Sequence, residues 1–83
     1  MDFDDVVSRL KTERDELRVR AHLMKAEINE EFEALEGKWE HLESTMGQLK
    51  KASKESAGEV GAAMKQLTEE LAAGYKRVKN SIQ

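Results

Sequence analysis

Few residues in this chain are of types that do chemistry. The two histidines are His22 and His41, and the densest carboxylate set is Glu30, Glu31, Glu33, Glu36, Glu40 and Glu43. A metal ion needs several such groups converging on one point, which on a helix means ligands three or four residues apart. Four residues away, His22 has Arg18 and Ala26, and His41 has Gly37 and Thr45, so neither gains a second ligand on its own face. Glu40 and Glu43 are ordinary helix-surface neighbours of His41. General acid–base work by the glutamates would require a pocket that shifts their pKa values, and charged residues along an exposed helix are a solvated face. There is no cysteine to act as nucleophile, thiolate ligand or half of a disulfide. No Gly-rich phosphate loop and no Gly-x-Ser-x-Gly elbow is present. The expectation is a non-enzymatic protein with no catalytic residues, no metal, no cofactor and no small-molecule substrate.

The elements that would carry these residues are helices. The chain has 83 residues, 37% of them charged and 5% aromatic, with no Pro. That composition suits long helices with charged outer faces rather than a mixed α/β domain. A chain of this size buries a marginal core by itself and commonly gains stability by pairing with another chain. Without cysteine the oxidising compartments leave no mark, so the default location is cytoplasmic. The start, Met1-Asp2-Phe3-Asp4-Asp5, has neither the basic residues nor the apolar core of a signal peptide. No apolar run approaches the roughly 18 residues of a membrane span.

Three apolar patterns follow one another. Phe3, Val7, Leu10, Leu17, Ala21, Met24 and Ile28 step by threes and fours, with Arg14 in one apolar slot. Such spacing places them on one helical face. Arg14 reads as a snorkelling side chain, stem buried and head in water, or as a polar residue that sets register. From Ile28 the seam continues through Phe32, Leu35, Trp39, Leu42, Met46 and Leu49. The steps from Met24 to Ile28 to Phe32 are both four, a stutter that locally unwinds a coiled coil. The second seam is bulkier than the first, which suggests two different partners. The third pattern, Val60, Met64, Leu67, Leu71, Tyr75, Val78 and Ile82, repeats every eleven residues and runs nearly straight along a helix.

Between the second and third patterns the apolar seam lapses at Ser53 and Ser56, and Gly58 and Gly61 weaken the helix. Ser56 and Glu59 fit a capping box, and Lys50, Lys51 and Lys54 suit the end of a preceding helix. The predicted domain is a single coiled-coil unit over 1–83, with a helix at 3–53, a turn at 54–56 and a helix at 57–81. One uninterrupted helix is the alternative, since no Pro forbids it. Charge favours the hairpin: residues 29–49 hold six Glu and one Lys, whereas residues 50–83 hold seven bases and four acids. Folding back sets Lys65, Lys76, Arg77 and Lys79 against that acidic stretch.

The predicted fold class is therefore all-α, a long and a shorter helix forming an antiparallel coiled-coil hairpin that dimerises. Phe32, Leu35, Trp39, Leu42, Met46, Leu49, Val60, Met64, Leu67, Leu71, Tyr75, Val78 and Ile82 form its predicted core, with Phe32, Trp39, Tyr75 and Met64 as an aromatic and thioether cluster. The hairpin leaves Val7, Leu10, Arg14, Leu17, Ala21, Met24 and Ile28 as a partner or dimer interface, since an exposed apolar stripe marks an interaction surface. The partner is the chain itself, a dimer first, or another helical protein. Nucleic acid is not expected, because the basic residues are interleaved with Glu69 and Glu70. A membrane surface is the competing partner. Residues 60–82 make an amphipathic helix carrying Lys65, Lys76, Arg77 and Lys79, so a membrane-peripheral location goes with that reading.

Val6-Val7-Ser8-Arg9-Leu10-Lys11, Lys25-Ala26-Glu27-Ile28-Asn29-Glu30-Glu31-Phe32 and the run from Leu49 to Leu67 give the chain a resemblance to a family. It resembles short bacterial coiled-coil proteins described as stress-response proteins of a cyanobacterial type. In that family a Glu- and Lys-rich helix leads through an Ala-Ser-Gly stretch into an amphipathic helix, often with a Trp near its start where this chain has Val60. The resemblance implies a bacterial, non-catalytic and stress-linked role, with no active residues to carry over.

Overall fold

Asp4 and Asp5 sit in a first helical turn and Arg18 in a last one, charges placed to favour each end of the helix dipole. The computed structural model describes residues 3–82 and forms α1 (Phe3–Val19) from this segment. A single 3-10 turn, Ala21–Leu23, leads to α2 (Ala26–Lys51), and a two-residue link leads to α3 (Lys54–Ser81). The described residues are all-helical apart from these connections.

The helix expected over 3–53 is thus two helices, broken between Arg20 and Lys25. Neither Gly nor Pro makes this break. Met24 and Lys25 take extended backbone, with ψ of 135° and 161°, and the chain turns back there. The stutter at Met24, Ile28 and Phe32 lies beside it, so the lapse in heptad spacing marks the place where the seam changes direction. The physical reason is burial. Turning back covers Leu10 and Leu17, which are 3% and 4% exposed. Each contributes roughly 1.5–3 kcal/mol on leaving water. The backbone groups freed at the corner are partly recovered by short-range bonds, Leu23 N–H to Arg20 carbonyl at 2.9 Å and Met24 N–H to Ala21 carbonyl at 3.0 Å.

The second connection is also shifted from its expected place. The segment 54–56 is the first turn of α3, and the cap is Ser53, not Ser56. Ser53 Oγ accepts from the Ser56 N–H at 3.4 Å, and Ala52 and Ser53 are the only residues outside the helices here. Ser56 then lies inside the helix, where its hydroxyl donates back to the Ser53 carbonyl. Lys50 and Lys51 occupy the last turn of α2, facing its negative dipole end.

α2 and α3 run antiparallel. Glu31 meets Arg77, Phe32 meets Tyr75 and Lys38 meets Glu70, so the partner's number falls as the residue number rises. The fully buried side chains are Leu42, Met64, Leu71, Tyr75 and Val78. Phe32, Leu35, Trp39 and Leu67 join them below 9% exposure, and Met46, Leu49 and Ile82 pack on the edge. Gly74 is buried against α2, and a methyl group there would collide with Leu35. Thr45 and Thr68 are buried with their hydroxyls turned onto their own helices, to the His41 carbonyl at 2.8 Å and the Lys65 carbonyl at 2.9 Å. α1 completes the bundle by lying along α3 and closing the open side of the hairpin.

Candidate functional site

The residues expected to form a free seam on the first helix have a different fate. Leu10 and Leu17 point into the hairpin and are buried, while Val7, Met24 and Ile28 are half-buried against its rim and Ala21 is half-buried at the corner. An intramolecular docking of α1 therefore occupies most of the face that was expected to stay open. The reason is proximity: α1 is tethered six residues from α2 and loses no translational freedom when it folds onto it.

Arg14 sits between Leu10 and Leu17 on that face. Its Nε donates to Glu36 Oε1 at 2.7 Å and its second terminal nitrogen donates to Oε2 at 2.8 Å, a two-pronged pair. The guanidinium carbon lies 5.4 Å from the centre of the Trp39 ring. Asp15 adds a looser contact at 3.6 Å. The snorkelling reading is refined accordingly: the head of Arg14 is not free in water but held between a carboxylate and an aromatic face at the edge of the α1–α2 groove, with 17% of the side chain exposed. The Glu36 hydrogen bonds hold the Arg14 pKa above its ordinary value against the opposing effect of burial. Glu36 and Trp39 are three residues apart on α2, so one turn of helix presents both to Arg14.

Tyr75 lies nearby on α3, 1% exposed, its ring 6.4 Å from that of Phe32 and tilted by 47°. Its hydroxyl is buried with no hydrogen-bond partner. Burial first, and the Glu36 charge second, push its pKa well above the usual phenol value. Phe32 and Tyr75 thus form the ring contact of the expected aromatic cluster, while Trp39 is covered by Arg14.

Because α1 leans on α3, a groove remains between α1 and α2. It has a volume of about 570 Å³ and is lined by apolar Val7, Trp39 and Met46 together with charged Asp4, Lys11, Arg14, Glu43 and Lys50. A hollow of about 630 Å³ opens beside Lys25, Ile28 and Ser81, and one of about 220 Å³ lies between α1 and α3 over Leu17, Ala72 and Tyr75. Two large apolar side chains stand out in water at the corner, Val19 at 75% and Leu23 at 57% exposure. Sequence reasoning passed over both, since they lie off the heptad seam.

Among the described residues, no three His, Asp or Glu side chains gather to hold a metal ion. None of the described helices is long and apolar enough to cross a membrane. The apolar stripe of α3 faces the bundle core, so the amphipathic face weighed for membrane contact is covered by α1 and α2. Of the ion pairs expected across the hairpin, Arg77 with Glu31 forms at 2.8 Å, while Glu36 is taken by Arg14. Lys38 and Glu70 add a pair of opposite polarity at 3.0 Å, and this bond, with one from Gln66, holds the Glu70 carboxyl below its usual range.

No family model, curated protein or solved structure matches this chain.

Proposed function

We propose that this chain is a non-enzymatic helical interaction protein, which pairs with a second copy of itself and offers the α1–α2 groove to a helix of a larger partner. The observation that carries the reading is where apolar surface remains outside the core. It lies along the α1–α2 groove beside Val7 and Met46, and along the corner at Ala21, Met24 and Ile28, all of them half-buried. Both places are half-buried apolar side chains flanked by charge, a pattern that suits the apolar face of an amphipathic helix. The titratable groups with displaced pKa values, Arg14, Tyr75 and Glu70, are each explained by a structural bond or by burial in the bundle. The resemblance to bacterial stress-response coiled coils supports the same non-catalytic class.

Sedimentation equilibrium from micromolar to millimolar concentration tests the reading. The expected mass rises from the single-chain 9.4 kDa toward twice that value. A single-chain mass throughout sinks the self-association, and an unchanged capture of helical partners by a Met46→Glu variant sinks the groove. Membrane contact through residues 60–82 would require α3 to leave the hairpin and expose Leu71 and Val78, which are fully buried. Co-sedimentation with acidic vesicles at low salt decides that alternative, and absence of binding removes it.

A further inference from the structure

We propose that two copies of this chain exchange their first helices: the corner at Met24 and Lys25 straightens, residues 3–51 become one helix, and α1 of each copy takes the place of the other's α1 on the hairpin. The proposal rests on the reading of the chain as self-associating and names how the copies pair.

The two corners of the bundle are built differently. At the link between α2 and α3, Ser53 caps the new helix through its side chain. At the link between α1 and α2 no side chain caps either the 3-10 turn or α2. The segment Arg20-Ala21-His22-Leu23-Met24-Lys25-Ala26 has no Gly or Pro and is rich in good helix formers. Arg20, at ψ 8°, and Met24 and Lys25, at 135° and 161°, are the residues that depart from helical ψ. No side-chain cap and no helix-breaking residue ends the helix there. What holds α1 back is the packing of Leu10 and Leu17 on the hairpin, and the exchanged pair makes the same contacts between copies.

Straightening also repairs the seam. On one helix, at roughly 100° per residue, Leu10, Leu17, Ala21, Met24, Ile28 and Phe32 lie within about 40° of a single line. In the folded chain that line is bent, and Ala21, Met24 and Ile28 remain half-buried. The register is set by Arg14, which meets Glu36 and covers Trp39. Kept between copies, this antiparallel register puts the two-fold axis near Lys25 and Ala26. Met24 of each copy then faces Ile28 of the other and closes the centre of the seam. Charge agrees with it. Residues 18–25 carry Arg18, Arg20 and Lys25 and no acid, while residues 27–33 carry four Glu and no base. The axis lays each basic segment beside the other copy's acidic one, the self-complementarity that a two-fold interface needs.

Ala26→Pro is the discriminating variant. Ala26 is exposed and opens α2, and Lys25 before it already has the extended backbone that a following proline demands. The folded chain accepts the ring. A straight helix does not, because the ring removes the bond to the His22 carbonyl and crowds it. Both proteins are refolded from denaturant at high concentration and their masses measured. Spin labels are placed through Ser8→Cys and Glu33→Cys, in a chain with no native cysteine, and diluted with unlabelled protein. The straight helix separates them by about 38 Å, and the folded-back corner by roughly half that. The expected result is a wild-type dimer with the longer distance, and a dimerisation constant for Ala26→Pro lower by more than about a hundredfold, with helix content kept. A dimer that keeps the shorter distance, or an Ala26→Pro variant that dimerises like the wild type, overturns exchange and leaves self-association standing. A single-chain mass at every concentration overturns both.

Discussion

Gly74 is the position where the pairing of α2 and α3 can be tested with one methyl group. It lies inside a 28-residue helix, where exchanging Gly for Ala ordinarily stabilises by about 1 kcal/mol. The structure opposes that gain. A methyl carbon on Gly74 would collide with Leu35 Cδ2 and lie 2.9 Å and 3.1 Å from its Cδ1 and Cγ. Leu35 is 3% exposed and is part of the buried core, so moving its branch aside disturbs the side chains packed around it. Forcing an extra methyl into such a contact costs about 1–3 kcal/mol. With the helix gain set against it, the net expectation for Gly74→Ala is a loss of about 1 kcal/mol, reaching 2 at the tighter end. Gly37 provides the internal control, since it is exposed on α2 with nothing near the added methyl, and Gly37→Ala is expected to stabilise by about 1 kcal/mol. Urea unfolding followed by helix circular dichroism, at one low protein concentration, reads both variants against the wild type. The sign should differ between two identical substitutions in one chain. Adding Leu35→Ala should turn Gly74→Ala from unfavourable to favourable, a coupling that a double-mutant cycle isolates. If Gly74→Ala stabilises as much as Gly37→Ala, the tight contact between Gly74 and the Leu35 branch is wrong.

Three further expectations concern single side chains. Tyr75→Phe removes a buried hydroxyl that has no partner, so it should stabilise the fold by about 1 kcal/mol, measured by the same unfolding assay. The wild type should also lose stability with rising pH from the unfolded-state phenol pKa of about 10 upward, because folding favours the neutral phenol and the raised folded pKa leaves that advantage intact below this point. Tyr75→Phe should flatten that part of the profile, and an unchanged slope would place the loss elsewhere. Arg14→Ala breaks a two-pronged, partly buried pair and uncovers Trp39, so a cost of about 1–2 kcal/mol and a red shift of Trp39 emission are expected. No change in emission would mean that Arg14 does not cover the ring. Ser53→Ala should cost about 1 kcal/mol through the lost cap of α3, and more than Ser56→Ala, whose side chain lies one turn inside.

Much of this architecture is readable from spacing alone. Phe32, Leu35, Trp39, Leu42, Met64, Leu67, Leu71, Tyr75 and Val78 are buried at the positions where three-four steps place them, while Met46, Leu49 and Val60, nearer the α2–α3 link, are only half-buried. Helix periodicity is local, so a pattern such as Met64, Leu67, Leu71 and Tyr75 needs no knowledge of the partner to mark the inner face. The acidic and basic thirds likewise pointed to an antiparallel pairing, and Arg77 with Glu31 is one of its contacts. The corner at Met24 and Lys25 is of another kind. Its residues are good helix formers, and the chain turns there because Leu10 and Leu17 find a surface on α3 that exists only once the hairpin has closed. The same holds for Gly74, whose burial depends on how near Leu35 comes, and for Arg14, whose partners lie twenty-two and twenty-five residues further along the chain. Helix identity and the apolar faces follow from short-range spacing, which the amino-acid sequence holds by itself. Whether α1 runs on from α2 or folds back is a balance between backbone hydrogen bonds at the corner and burial far from it, and only tertiary packing decides that balance.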